Sequence, residues 1–321
     1  MAPRRPQGPK RPNRTAPWML IGIALFVIAD VLLVWAAITS ARTPPPPSSA
    51  VGTVDVQISP SASPTPSEAP PQDLEVARPV ALLAAYDSLT AYRAITGECP
   101  VAPPEIEVTT DGGVSWTPFG VTDASSIEAI TPEGANTLSV IARDADGCEA
   151  SVHRSFVQGA GWAEAPELDG RWRIEAGVVI APGPVTATPC AEPVQVAGVS
   201  PARAVVLCAD AVVHVTDDAG GTWVSSEPIS GVSAIAARDD AVLVVIERQG
   251  ECEGLQVAGL SAGGAGEAGA EAGLVLGAPG ACITTEPTDG HSALAVSNDG
   301  SMVWLWSNGV VARSVDGGAS W

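Results

Sequence analysis

Thr109–Trp116 reads TTDGGVSW, and the same eight positions return as Thr216–Trp223, TDDAGGTW, and Ser314–Trp321, SVDGGASW. All three obey the pattern [ST]-x-D-x-G-x-[ST]-W. Asp111, Asp218 and Asp316 stand where a short carboxylate accepts N–H bonds inside its own turn. Gly113, Gly220 and Gly318 supply the positive φ that such a turn demands. Trp116, Trp223 and Trp321 begin an outgoing strand, with a ring large enough to pack beneath the hairpin. Turn chemistry accounts for all nine residues, so the aspartates are read as structural and not as catalysts.

Spacing sets the number of repeats. Trp116 and Trp223 are 107 residues apart, and Trp223 and Trp321 are 98 apart. Each interval fits two units of about 40–50 residues, so an eroded copy should lie between each pair. Ser155–Trp162, SFVQGAGW, keeps the Ser, Gly and Trp but has Val157 in place of the Asp. The other copy is lost in the Gly/Ala-rich run after Ser261. Ten residues ahead of the four tryptophans sit Ile106, Val152, Val213 and Val311, one repeated buried strand position.

The repeated octapeptide resembles the Asp-box (BNR, sialidase-like) β-propeller repeat family. With the spacing, the resemblance implies an all-β, five-bladed Asp-box propeller. The blades are expected from near Val80 to beyond Trp116, then over Ile127–Glu167, Val194–Glu227, Val232–Gly277 and Ala281–Trp321. Leu168–Pro193 is left as an insertion between the second and third. Gln72–Val80, with alternating Leu74, Val76 and Arg78, is expected to close the ring by pairing on the fifth blade.

The propeller sequence is preceded by three different compositions. Residues 1–17 form a basic tail in which Arg4, Arg5, Lys10, Arg11 and Arg14 stand without one acid, although the chain carries a formal charge of −20. Residues 18–39 contain the apolar run MLIGIALFVIADVLLVWAAI, whose 20 residues match the roughly 30 Å of bilayer hydrocarbon at about 1.5 Å per residue. This run exceeds the usual length of a signal-peptide core and is read as an uncleaved transmembrane helix. The basic flank places the N-terminus in the cytoplasm and residues 40–321 outside. Asp30 is the ionisable group within the span. Residues 40–71 are a Pro/Ser-rich linker, with nine prolines between Thr43 and Pro71, extended and semi-rigid. The ectodomain is 72–321.

Six cysteines, Cys99, Cys148, Cys190, Cys208, Cys252 and Cys282, all follow the span, as disulfides in an oxidising compartment would. Sequential pairing is sterically reasonable among fifteen connectivities. Without a C-x-x-C pair they are not read as a metal site, and no cofactor is expected. His153 and His214 each lie nine residues before a box tryptophan, on different blades, and His291 stands alone. Gly259–Gly263 matches G-x-S-x-G and Gly264–Gly269 matches G-x-G-x-x-G, but both fall in low-complexity sequence outside any strand–helix context.

Sialidases, which share the repeat, resemble one another in an arginine triad and a Tyr/Glu nucleophile pair. Here the tyrosines are Tyr86 and Tyr92, both in the first blade. The sequence therefore favours a binding or assembly module for an envelope protein or glycan, with a membrane-tethered sialidase-like glycoside hydrolase as the alternative. Nucleic acid is excluded by an acidic ectodomain without lysine. Within the insertion, Arg171, Trp172 and Arg173 form the expected binding site, on the face where second-to-third strand turns open. Arg and Trp are enriched at hot spots, and guanidinium pairs grip carboxylates or phosphates. The competing reading has Trp172 covering the core and the arginines paired with nearby acids. Protease added to intact cells should remove the ectodomain; its protection would overturn the orientation.

Overall fold

The computed structural model describes residues 75–121, 124–168, 170–183, 188–263 and 273–321. The basic tail, the span with Asp30, the linker and residues 72–74 lie outside them. Among the described residues, no helix is long and apolar enough to cross a membrane.

The protein is an all-β, five-bladed β-propeller. Blade one orders β1 (Ala81–Ala85), β2 (Ala91–Ile95), β3 (Glu105–Thr109) and β4 (Thr117–Phe119). Blade two orders β5 (Ala124–Gly134), β6 (Thr137–Asp144), β7 (Ala150–Ser155) and β8 (Ala163–Glu164). A two-stranded hairpin, β9 (Arg173–Glu175) and β10 (Val178–Ile180), fills the insertion. Blade three orders β11 (Pro193–Gly198), β12 (Ala204–Cys208), β13 (Val213–Thr216) and β14 (Val224–Ser225). Blade four orders β15 (Val232–Arg238), β16 (Ala241–Glu247), β17 (Leu255–Ala262) and β18 (Leu274–Leu276). Blade five has three strands, β19 (Ser292–Val296), β20 (Val303–Ser307) and β21 (Val310–Ser314). All neighbours within a blade are antiparallel.

The second strands of blades three, four and five, β12, β16 and β20, read as nearly unbroken apolar runs because both faces are covered by neighbouring elements. On β16, Val242, Val244 and Ile246 enter a core shared with blade three, while Leu243 and Val245 enter one shared with blade five. On β20, Trp304 and Trp306 pack on blade one and Val303 and Leu305 on blade four. Each such side chain contributes about 1.5–3 kcal/mol when fully buried.

The boxes form one repeated turn between the third and fourth strand positions. The hydroxyl of Thr109, Thr216 or Ser314 donates to Oδ1 of the box Asp and accepts the N–H of the box Gly. The same Oδ1 accepts the N–H of Ser115, Thr222 or Ser320, and Oδ2 accepts that residue's hydroxyl. In the eroded copy Ser155 Oγ still accepts from Gly159 N at 2.9 Å, so the hydroxyl half survives without the carboxylate. The box glycine is also a contact point. Gly318 has φ +94°, and a Cβ there would lie 2.8 Å from Val257 of blade four.

Three of the four repeated strand positions are buried as expected: Ile106, Val152 and Val213. Val311 is only partly covered, because among the described residues no strand pairs on the outer side of β21. Of the closing strand expected at Gln72–Val80, the described residues 75–80 do not pair on β21. Residues 75–79 have no strand conformation. Val76 N donates to Ala209 O in blade three, and Val80 N donates to Gly290 O ahead of β19. Val76 is drawn there by burial beside Val194, Leu207 and Val232, so the segment is a strap. The ring closes instead through Ala81, Leu83, Ala85 and Ala91 packed on Ala293, Ala295, Trp304 and Trp306.

Asp111 and Asp316 are each held at about 2, Asp111 chiefly by the Ser115 hydroxyl and Asp316 chiefly by the Ser314 hydroxyl. Asp218 is lowered chiefly by the Thr222 N–H. Their folded values lie below the unfolded value, so the stabilisation is complete above about pH 4 and fades as pH falls toward about 2. A triple Asp→Asn variant at the three boxes should unfold at lower urea than the parent near neutrality. The gap should narrow steadily across that acid window. A gap independent of pH would refute the carboxylate's role.

Candidate functional site

The five innermost strands, β1, β5, β11, β15 and β19, surround a channel of about 1050 Å³. Each contributes alanine to its wall, Ala84, Ala129, Ala197, Ala236 and Ala295 among them, and these small side chains leave the centre open. One end of the ring carries the box turns and the β5–β6 hairpin turn. Gln158 in the eroded box reaches Asn136 in that turn at 2.6 Å, which fixes both on this box face. The opposite face carries the starts of the innermost strands, the second-to-third strand turns and the strap. Arg78 and Pro79 of the strap line the channel at that end.

Blades two and three are joined by the insertion. Pairs one–two, three–four, four–five and five–one share direct apolar cores. At the remaining seam Trp172, Val179 and Ala181 pack onto blade three with Ala204, Val206 and Cys208. Trp172 is 7% exposed, donates from Nε1 to Ser200 O at 2.8 Å, and meets the box ring of Trp223 edge-on at 6.3 Å. It sits so close to β11 that a Cβ on Gly198 would come within 2.8 Å of its ring.

On the other side, Arg171 donates to Glu133 Oε1 at 2.8 Å and to Ser139 Oγ at 2.9 Å, both beside the β5–β6 turn. Burial opposes the charge on Glu133, but hydrogen bonds from Arg154, Ser139 and Arg171 outweigh it and hold the carboxyl below its usual range. Arg173 pairs with Glu175. The three expected residues thus share one cavity wall with different partners. Arg171 and Trp172 lie toward the box face, not the face of the second-to-third turns, while Arg173 also lines a small cavity with Ala150 and Ser151 at the start of β7. The chain doubles back after β8 through the turn Pro166–Leu168, where Glu167 meets Arg154.

The cavity's charge is unlike the rest of the domain. Of 16 cationic residues in the chain, six precede residue 72 and the other ten are arginines. Four of those ten, Arg78, Arg143, Arg171 and Arg173, line the channel. Glu128 is the single carboxylate among the described lining residues, and Arg143 donates to it at 2.7 Å. Arg78 and Arg143 carry no sequence signal. They lie outside the insertion, and only the closed ring brings them to one space.

Other candidates take structural places. Tyr92 is fully buried, its hydroxyl sits 3.0 Å from Ala135 O, and burial pushes it up to about 12, opposite to a nucleophile's need. Ser261 lies within the strand β17 and not at a strand–helix elbow, and residues 264–269 lie outside the described ones. The cysteines form disulfides Cys99–Cys148, Cys190–Cys208 and Cys252–Cys282. All three lie on the strap face. Burial holds His214 below its usual value, with Asp210 opposing.

No protein-family model matches the chain, and no curated protein matches it. Solved structures similar to it include the six-bladed fucose-recognising lectin of Aleuria aurantia, at 13% identity and TM-score 0.43, over 76% of this chain and 93% of that one. YCF48 bound to D1 peptide is 15% identical at TM-score 0.26, over 77% of this chain and 66% of that one. The GH43B of the Bacteroides ovatus xyloglucan locus is 13% identical at TM-score 0.34, over 76% and 50%.

Trp172→Ala should cost about 3–5 kcal/mol, as for other buried large aromatics, measured by denaturant titration. Arg171→Ala should leave the midpoint nearly unchanged, because Glu133 keeps Arg154. The reverse order of effects would show that the insertion is not a wedge.

Proposed function

We propose that the chain is a membrane-held, extracytoplasmic binding module that takes a carboxylate-bearing segment of an envelope protein or glycan at the box-side mouth of its channel. The observation that carries this reading is Arg171 at the box-side end of a cavity that four arginines line in an acidic domain, with Arg173 next along the wall and Arg78 and Arg143 toward the strap end. A guanidinium has five N–H donors, and Arg171 directs two of its nitrogens at Ser139 and Glu133, keeping donors for a ligand. The three boxes support membership of the Asp-box family, and their aspartates are consumed by their own turns.

Binding without chemistry fits the donors present. Hydrolysis by paired carboxylates needs two acids across a cleft. Among the described residues the cavity holds Glu128, already engaged by Arg143. Geometry favours the box-side mouth, since the strap crosses the other end.

The test uses the full chain in detergent, with poly-glutamate peptide and a uronic-acid polysaccharide as separate probes and neutral dextran as control. At least one acidic probe should bind, more weakly at high salt, and Arg171→Ala/Arg173→Ala should weaken it at least tenfold at an unchanged melting temperature. Arg203→Ala, outside the cavity, should bind like the parent. Equal binding by the double variant would remove the site. Release of reducing sugar by the parent, lost in Glu128→Gln, would establish the hydrolase instead.

A further inference from the structure

The seam between the insertion and blade three holds a second group of chemically unusual side chains. Cys208 ends β12, His214 lies in the neighbouring β13, and Cys190 arrives from the end of the insertion. The two sulfurs and an imidazole nitrogen of His214 all lie within 4.8 Å of one another. His214 is 8% exposed. Its Nδ1 is 2.8 Å from Ser225 Oγ, while Nε2 is buried without a hydrogen-bond partner among the described residues. Buried polar atoms in native proteins nearly always have partners, so an orphan nitrogen on an imidazole that approaches two sulfurs calls for an explanation.

His153 is the internal control. It occupies the same place relative to its box, nine residues before Trp162, in blade two. No cysteine accompanies it in that position, and its Nε2 pairs with Ser151 Oγ at 2.8 Å. The orphan nitrogen therefore accompanies the cysteine pair and not the strand position.

We propose that Cys190, Cys208 and His214 form a site for one Zn(II)-type cation when the Cys190–Cys208 bond is reduced, with the disulfide as the metal-free state. The charge favours a divalent ion. Two thiolates, one uncharged imidazole and a dication sum to zero, which suits surroundings of Trp172, Val179, Ala181, Ala204 and Val206. Two sulfurs and one nitrogen are zinc ligands, with a fourth position left for water. The reductant is a protein dithiol. One thiolate attacks Cys190, the less buried sulfur, to give a mixed disulfide, and the dithiol's second sulfur displaces it. Two electrons and two protons pass to the pair, and the reductant leaves as its own disulfide. Metal binding then releases one proton from each thiol.

The experiment uses the full chain in detergent, stripped of metal, oxidised or reduced with a phosphine, and titrated with Co(II) and then Zn(II). The reduced parent should take up one Co(II) per chain, with a thiolate charge-transfer band that Zn(II) abolishes. The oxidised parent should show none. His214→Ala and His214→Gln should weaken uptake at least tenfold, and His153→Ala should not. Because the phosphine opens all three disulfides, folding is followed by circular dichroism in parallel. If reduction unfolds the chain, Zn(II) should restore the parent's β signal and fail to restore that of His214→Ala. No uptake and no restoration in the parent, or parent-like behaviour in both His214 variants, would falsify the site.

Discussion

Every sheet in the ring has two apolar faces, and a neighbouring blade is what covers them. That constraint explains why β12 and β20 are buried along their whole length and β16 from Val242 to Ile246, although alternation is the usual mark of a strand with one wet face. It also explains what happens where neighbours do not meet directly. Between blades two and three the cover comes from Trp172, Val179 and Ala181, and Gly198 is bare because the indole lies on it. The insertion is a structural part before it is anything else.

The box is the local device that makes such packing repeatable. One hydroxyl and one carboxylate satisfy the N–H groups of a tight turn from within, so the turn needs nothing from its neighbour and can press against it. Residues before the box glycine adopt positive φ even where they are not glycine, as Ala219 at +59° and Gln158 at +54° do. The surviving hydroxyl bond at Ser155 identifies the hydroxyl-to-glycine contact as the part that holds the turn shape. The carboxylate adds the tie to the seventh residue.

Much of this was legible in the sequence because it is local. The boxes, the five blades and the insertion's bounds follow from octapeptides and their spacing. What was not legible depends on distant parts meeting. The alternation of Leu74, Val76 and Arg78 suits an edge strand, but Val76 has a deeper apolar site beside Val194 and Val232, and burial there outweighs pairing on β21. Arg171-Trp172-Arg173 reads as one motif, while the fold divides it between an ion pair toward blade two, a buried ring on blade three and a partner at Glu175. Arg78 and Arg143 join the cavity only through ring closure.

These features converge on one seam, and the reason is mechanical. The directly packed seams admit single polar groups, such as Gln195 bonded to the backbone of Ile235, whereas a short hairpin brings several of its own. The hairpin buries its indole toward blade three and must set its remaining groups against blade two or the channel. Hence Arg171 meets Glu133 and Ser139 there, and the cavity wall at this point is built from guanidinium and indole instead of aliphatic strand. The Cys190–Cys208 bond anchors the trailing end of the same insertion to β12, on the far side of the ring from the arginines. Between these two fixtures runs the blade seam that a hairpin fills, so the insertion is held at both ends, by Trp172 on blade three and by the disulfide on β12.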